Sequence, residues 1–128
     1  MPLVRIDIIE GRSDAEIAGI ADGVQEVMEA VFAAPAHDRY QIVTEHKPGR
    51  MFIEDTGLGL ERTAGVTVVH VFQQGRDVDQ KQAFYAALAD RLEEAGVRRE
   101  DLVVSMSANE KPDWSFGMGR AQFITGEL

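Results

Sequence analysis

The sequence contains no cysteine. That excludes a disulfide framework, a zinc–thiolate site and a thiol nucleophile together. Cations are also scarce: 13 Lys plus Arg stand against 22 Asp plus Glu, for a formal charge of −9. So acidic a chain repels phosphate backbones, and nucleic acid is not an expected partner. Any anionic substrate must be held by a few well-placed cations rather than by the overall field. No apolar run approaches the about 18 residues that a membrane helix needs, so no membrane partner is expected. The opening Met1-Pro2-Leu3-Val4-Arg5-Ile6-Asp7 has no apolar signal-peptide core, and the expected compartment is the cytoplasm. Three histidines, His37, His46 and His70, are too scattered to propose a metal site. What is present is 45% hydrophobic residues in a chain of 128, too many for disorder and enough for one core.

The chain reads as a single domain made of two similar halves. Leu3–Ile9 alternates, with Val4, Ile6 and Ile8 on one side and Arg5 and Asp7 on the other, as a half-buried strand does. Gly11-Arg12 ends it. Ser13 and Glu16 fit a capping box, and Ile17, Ile20, Val24, Val27, Met28 and Val31 recur at helical spacing, so a helix is expected over 14–32, stopped by Pro35. Tyr40–Val43 is a short second strand. Residues 47–65 form a connector of turns, with a strand or hairpin expected around Met51-Phe52-Ile53. Val66–Phe72 is a β-branched strand, and Gly75-Arg76 ends it as Gly11-Arg12 ended the first, 64 residues earlier. Asp77 and Gln80 cap a second helix carrying Phe84, Ala87, Leu88 and Leu92 on one face, with Gly96 as its stop. Leu102–Met106 answers as the fourth strand.

The expected fold is therefore α+β: two β-α-β repeats, at about 2–46 and 66–107, joined by the connector and followed by a tail at 108–128. They form a four-stranded mixed sheet with both helices on one face. The other face carries Arg5, Asp7, Thr67, Val69 and Val71, or the alternate set if the register is reversed. Apolar residues left on that face suggest burial against other subunits. With the repeats related by a pseudo-twofold axis, Pro2 lies near Gln74, Gly75 and Arg76.

Pro2 is the most informative position. Removal of Met1 leaves a secondary amine at the head of a strand, and a free α-amino group titrates near pH 8, within reach of acid or base work, though Met-Pro as a common start with no role is the plainer reading. Arg76 follows the third strand and precedes a helix; its planar fork matches a carboxylate, though pairing with Asp77 or Asp79 is the plainer role. Asp38 suits holding a proline ammonium or a water, or is simply a strand-entry carboxylate. His70 shares a face with Val68 and Phe72 and reads as a hydrogen-bonded structural histidine. Gly57-Leu58-Gly59 lacks the strand-to-helix setting of a dinucleotide loop. The tail interleaves glycine with Trp114, Phe116 and Phe123, which suits either the wall of a small apolar pocket or plain packing.

Together these residues resemble the tautomerase superfamily and, within it, the malonate semialdehyde decarboxylase family. The matching stretches are Pro2-Leu3, Ile9–Arg12, Asp38–Gln41, His46–Gly49, Ile53–Gly59, Gln80-Lys81, Asp113–Gly117, Gly119–Ala121 and Thr125-Gly126. The resemblance implies a homotrimer without cofactor, acting on a small carboxylate at a site around each Pro2. It implies a cationic Pro2 as the acid, Arg76 as the carboxylate ligand, and Asp38 as support for the proline. Trp114, Phe116, Phe123 and Leu128 are implied as a hydrophobic wall. One departure matters: Gln74 stands where that family usually has a first arginine, and brings a hydrogen bond but no charge. The implied activity is decarboxylation of malonate semialdehyde to acetaldehyde and carbon dioxide. Alternatives are a tautomerase with neutral Pro2 as base, or a hydratase or dehalogenase of a small unsaturated acid. The dehalogenase is disfavoured because no histidine lies between Asp14 and Phe32. A non-catalytic trimeric ligand-binding protein is the alternative of another class.

Overall fold

In the computed structural model, which describes residues 2–128, the alternation of Leu3–Ile9 is realised as strand β1. Val4, Ile6 and Ile8 are buried and Arg5 is exposed on the opposite side. Helix α1 spans Asp14–Phe32, with Ser13 Oγ accepting from the Glu16 N–H and the Glu16 carboxylate accepting from the Ser13 N–H. This reciprocal cap satisfies two of the free donors at the helix start. Ala33 leaves the helix in the left-handed region at φ 55°, two residues before Pro35. Strand β2 is Tyr40–His46, three residues longer than expected.

The second repeat follows the same plan. Strand β3 is Thr67–Gln74, and helix α2, Val78–Glu94, is capped by Asp77 and Gln80 as α1 is by Ser13 and Glu16. Its end is a Schellman motif: Gly96 at φ 91° donates to Glu93 O, and Val97 donates to Leu92 O. Strand β4 runs Leu102–Asn109, so it takes up residues expected to begin the tail. A short helix α3, Gln122–Thr125, lies near the C-terminus.

The sheet order is β2-β1-β3-β4; the two outer pairs are parallel and the central pair antiparallel. The expected four-stranded mixed sheet is thus observed, and its register settles which face is which. Ile6 pairs with Val69 and Val4 with Val71, so Val69, Val71 and Thr67 lie on the helix side, not on the open side. The open side carries Ile42, Arg5, Asp7, Val68, His70 and Phe72. The physical reason is that only the Thr67-Val69-Val71 set can enter a dry core. The alternate set contains His70, whose ring instead stacks on Phe72 and bonds Ser107 Oγ at 2.8 Å. On the helix side, Phe32 of α1 stacks on Phe84 of α2 with ring centroids 4.7 Å apart. The helices approach closely at Gly23, where a Cβ would sit 3.0 Å from Leu92.

No strand forms at Met51-Phe52-Ile53, and Phe52 is 86% exposed. The connector spends its polar groups on turns and side chains instead of a ladder. Asp55 accepts from the N–H groups of Gly57 and Gly59, which hold its carboxyl below the usual range. Arg62 donates to Glu54 O and Glu100 O. Asp101, fully buried, takes both the N–H and the hydroxyl of Thr63. Asp101→Ala should therefore cost about 1–3 kcal/mol by orphaning those donors, seen as a lower urea midpoint at unchanged slope.

Since β3 runs against β1, several chain segments meet at one end of the molecule. They are Pro2, the end of α1, the entry to β2, the end of β3, the start of α2 and the end of β4.

Candidate active site

Pro2 is buried at that end of the sheet. Continuing the strand registers by one residue sets it between Arg39, the neighbour of Asp38, and Gln73. Removal of Met1, expected from the sequence, concerns a residue outside those described. Asp38 is buried, with its N–H on Pro35 O at 3.0 Å, so the turn after α1 holds this carboxylate at the strand entry. Burying a carboxylate costs free energy unless something cationic or hydrogen-bonding answers it. Its neighbour Arg39 points elsewhere, to Asp22 and Gln41.

Arg76 does not make the plain surface pair with Asp77 or Asp79. Its guanidinium donates to Gln74 O and Gly75 O at 3.3 Å and to Phe32 O at 3.4 Å, and lies 5.2 Å from the centre of the Phe32 ring. Backbone carbonyls and an aromatic face orient the fork without neutralising it. Among the described residues Arg76 belongs to no ion pair. Gln74, partly buried at the end of β3, pairs with Asn109 of β4.

The tail builds the expected aromatic cluster. Trp114 stacks on Phe116 at 5.4 Å, and Phe123 meets Phe116 edge-on at 5.5 Å. Trp114 is anchored by its indole N–H on Asn109 Oδ1 at 2.9 Å, and Phe116 packs on Tyr40 at 5.7 Å. Asn109 belongs to one edge strand and Tyr40 to the other, so the tail crosses the sheet end where Pro2 lies. Leu128 is 65% exposed, its backbone N–H on Gln122 O.

Two residues of this end went unread in the sequence. Tyr40 joins the aromatic cluster, and Gln73 is buried beside Pro2 on the helix side. The signal for Gln73 was available: it continues the Thr67-Val69-Val71 stripe, so a polar side chain occupies a core position at a strand end. Among the described residues no cluster of His, Asp and Glu could hold a metal ion.

The chain is similar to known proteins over its whole length. Two family models, both described as tautomerase enzyme, match residues 2–61 and 38–117. The probable tautomerase YrdN of Bacillus subtilis (strain 168) is 48% identical over the full length of both chains. The probable tautomerase YusQ of the same organism is 33% identical over 97% of this chain and 99% of its own. The crystal structure of a malonate semialdehyde decarboxylase superposes with a TM-score of 0.94 at 42% identity, covering 98% of each chain. That of FG41 malonate semialdehyde decarboxylase inhibited by 3-bromopropiolate gives 0.95 at 43%, covering 98% of this chain and 97% of the other. Native fused 4-OT, at 17% identity and a TM-score of 0.77, shares the fold over 96% of this chain and 98% of its own. From a family model that matches residues 38–117, more than half of the chain, and a curated relative matching end to end, one assignment follows: the chain belongs to the tautomerase enzyme family.

Proposed function

We propose that the protein is a cofactor-independent decarboxylase of a small β-keto acid, malonate semialdehyde being the substrate, with Pro2 as its cationic acid. The observation that carries the reading is the meeting, at one sheet end, of a buried Pro2, a buried Asp38 and an Arg76 unpaired by any carboxylate among the described residues. The likeness of the whole chain to two malonate semialdehyde decarboxylases supports it.

The chemistry follows from where electrons must go. Breaking the bond to the carboxylate leaves a pair that needs a sink, here the β-carbonyl. An ammonium at Pro2 donates a hydrogen bond to that oxygen and stabilises the charge growing there, and carbon dioxide leaves as a neutral molecule. Asp38 keeps Pro2 protonated, since a nearby carboxylate favours the cation. Arg76 holds the carboxylate so that the breaking bond stands perpendicular to the carbonyl plane. Trp114, Phe116 and Phe123 wall the site with apolar surface, which favours loss of the carboxylate charge. With Gln74 in the first arginine's place, one positive charge fewer opposes protonation of Pro2. A homotrimer, in which the open sheet faces pack together, is part of the same proposal; exposed Ile42 and half-buried Phe72 on that face support it.

The decisive experiment is purified protein with malonate semialdehyde, acetaldehyde being followed by coupled reduction, alongside an intact mass that reports whether Met1 is removed. Arg76→Ala should lower kcat/KM about 10- to 100-fold through loss of a charge-assisted contact, mainly in KM. The curated relatives' description as probable tautomerases favours a second reading. A tautomerase needs neutral Pro2 as base, so its rate falls as pH drops below the proline pKa, whereas a cationic acid loses activity as pH rises above it.

A further inference from the structure

A small cleft opens beside Arg76 on the helix side of the sheet end. Its lining is Gln73, Gln74, Gly75 and Arg76 from β3 and the turn after it, Lys81 from the first turns of α2, and Met106–Ala108 of β4. Its volume, about 10 Å³, suits one water or one carboxylate oxygen rather than a whole substrate. Among the described residues no carboxylate lines it. Asp77, the nearest along the chain, spends its carboxylate on the Gln80 N–H. Lys81, like Arg76, belongs to no ion pair among the described residues.

Gln73 supplies the independent sign that the cleft takes a ligand. The side chain is 4% exposed, and among the described residues its Nε2 has no hydrogen-bond partner. Buried amide donors are rarely left unpaired, because the hydrogen bonds lost from water are not returned. An acceptor from outside the chain meets that need, and Arg76 and Lys81, which line the same cleft, favour an anion in that role. The positive end of the α2 dipole adds to the same field.

We propose that Gln73 and Lys81 complete the carboxylate subsite at Arg76. Lys81 supplies the second positive charge that Gln74 does not bring, and Gln73 donates its buried N–H to one carboxylate oxygen. This assignment rests on the proposed use of a small carboxylate substrate. It makes Lys81 and Gln73 substrate-binding residues, with no part in moving the proton at Pro2.

The test uses 3-hydroxypropionate, a stable monocarboxylate with an alcohol in place of the aldehyde, titrated calorimetrically into the full-length protein at low salt. Lys81→Met and Gln73→Glu should each weaken binding about 5- to 30-fold, and Lys81→Arg should restore most of it. Gln73→Glu keeps the side-chain size while repelling an anion, and Lys81 is partly solvent-exposed, so retained folding is checked by circular dichroism. With malonate semialdehyde, Lys81→Met should raise KM by a similar factor at nearly constant kcat. Unchanged binding and unchanged KM in Lys81→Met, from an enzyme that releases acetaldehyde, would overturn the subsite and leave the decarboxylase reading intact. Weakened binding in Lys81→Met, from a protein that releases no acetaldehyde, would uphold the subsite and end that reading.

Discussion

Pro2→Ala should lower acetaldehyde release from malonate semialdehyde about 10²- to 10⁴-fold, the range expected when a positioned acid is lost. Alanine also ends in an amine once Met1 is removed, so the variant does not abolish the charge. What it removes is the ring that fixes the direction of the nitrogen's hydrogens. The buried setting of Pro2, between the entry to β2 and the end of β3, gives a rigid ring its value. A freely rotating primary amine spreads its donors over directions that miss the β-carbonyl oxygen, and small misplacements of a reacting group carry large rate penalties. Circular dichroism of the variant should match the parent, since Pro2 precedes the first ladder pair of β1 with both neighbours. Normal turnover by Pro2→Ala would refute the mechanism, whatever the fate of the other residues.

The largest effect on stability is expected from Phe84→Ala, at about 3–5 kcal/mol. Phe84 is fully buried, stacks on Phe32 and meets Tyr85 edge-on at 6.4 Å. It lies where α1 and α2 pack, so the removed ring leaves a cavity that two capped helices can only partly close. Chemical denaturation should show a lower midpoint at unchanged slope. The consequence reaches the site, because Phe32 carries Arg76 through both its ring and its carbonyl. With Phe84 gone, Phe32 loses its stacking partner and the guanidinium its support. KM for the carboxylate should therefore rise even under conditions where the variant is fully folded. A destabilised Phe84→Ala protein with parental KM would show that Arg76 is held by its own loop carbonyls alone.

Local patterns in the chain carried the elements well. Both capping boxes, the stop at Gly96 and the alternation of Leu3–Ile9 describe interactions between residues no more than a few positions apart, so they are visible without a fold. Two of the departures in the strands turn on what lies beside the segment rather than within it. Met51-Phe52-Ile53 has strand-like residues, but the chain just after it is held by Arg62 on Glu54 O and by the turn at Asp55. The extension of β4 to Asn109 depends on β3 continuing through Gln73 and Gln74, whose pairing with Ala108 and Asn109 no local pattern announces.

The candidate site divides in the same way. Chemical type makes Pro2, Arg76, Asp38 and the aromatic tail candidates, each with a plainer reading beside it, and only the resemblance to a known family assigns them roles. The repeat topology already leads one to expect Pro2 near Arg76; the arrival of Asp38 and the tail at the same end is a tertiary fact. The antiparallel pairing of β1 with β3 gathers the head of one repeat and the turn of the other at a single sheet end, and the tail's reach from Asn109 to Tyr40 lays its rings across that end. Gln73 and Lys81 became meaningful only then, since burial, a missing hydrogen-bond partner and a shared cleft are properties of packed atoms. Composition and periodicity decided what the chain builds; register, set by which alternate set of β3 could enter a dry core, decided which side chains face one another.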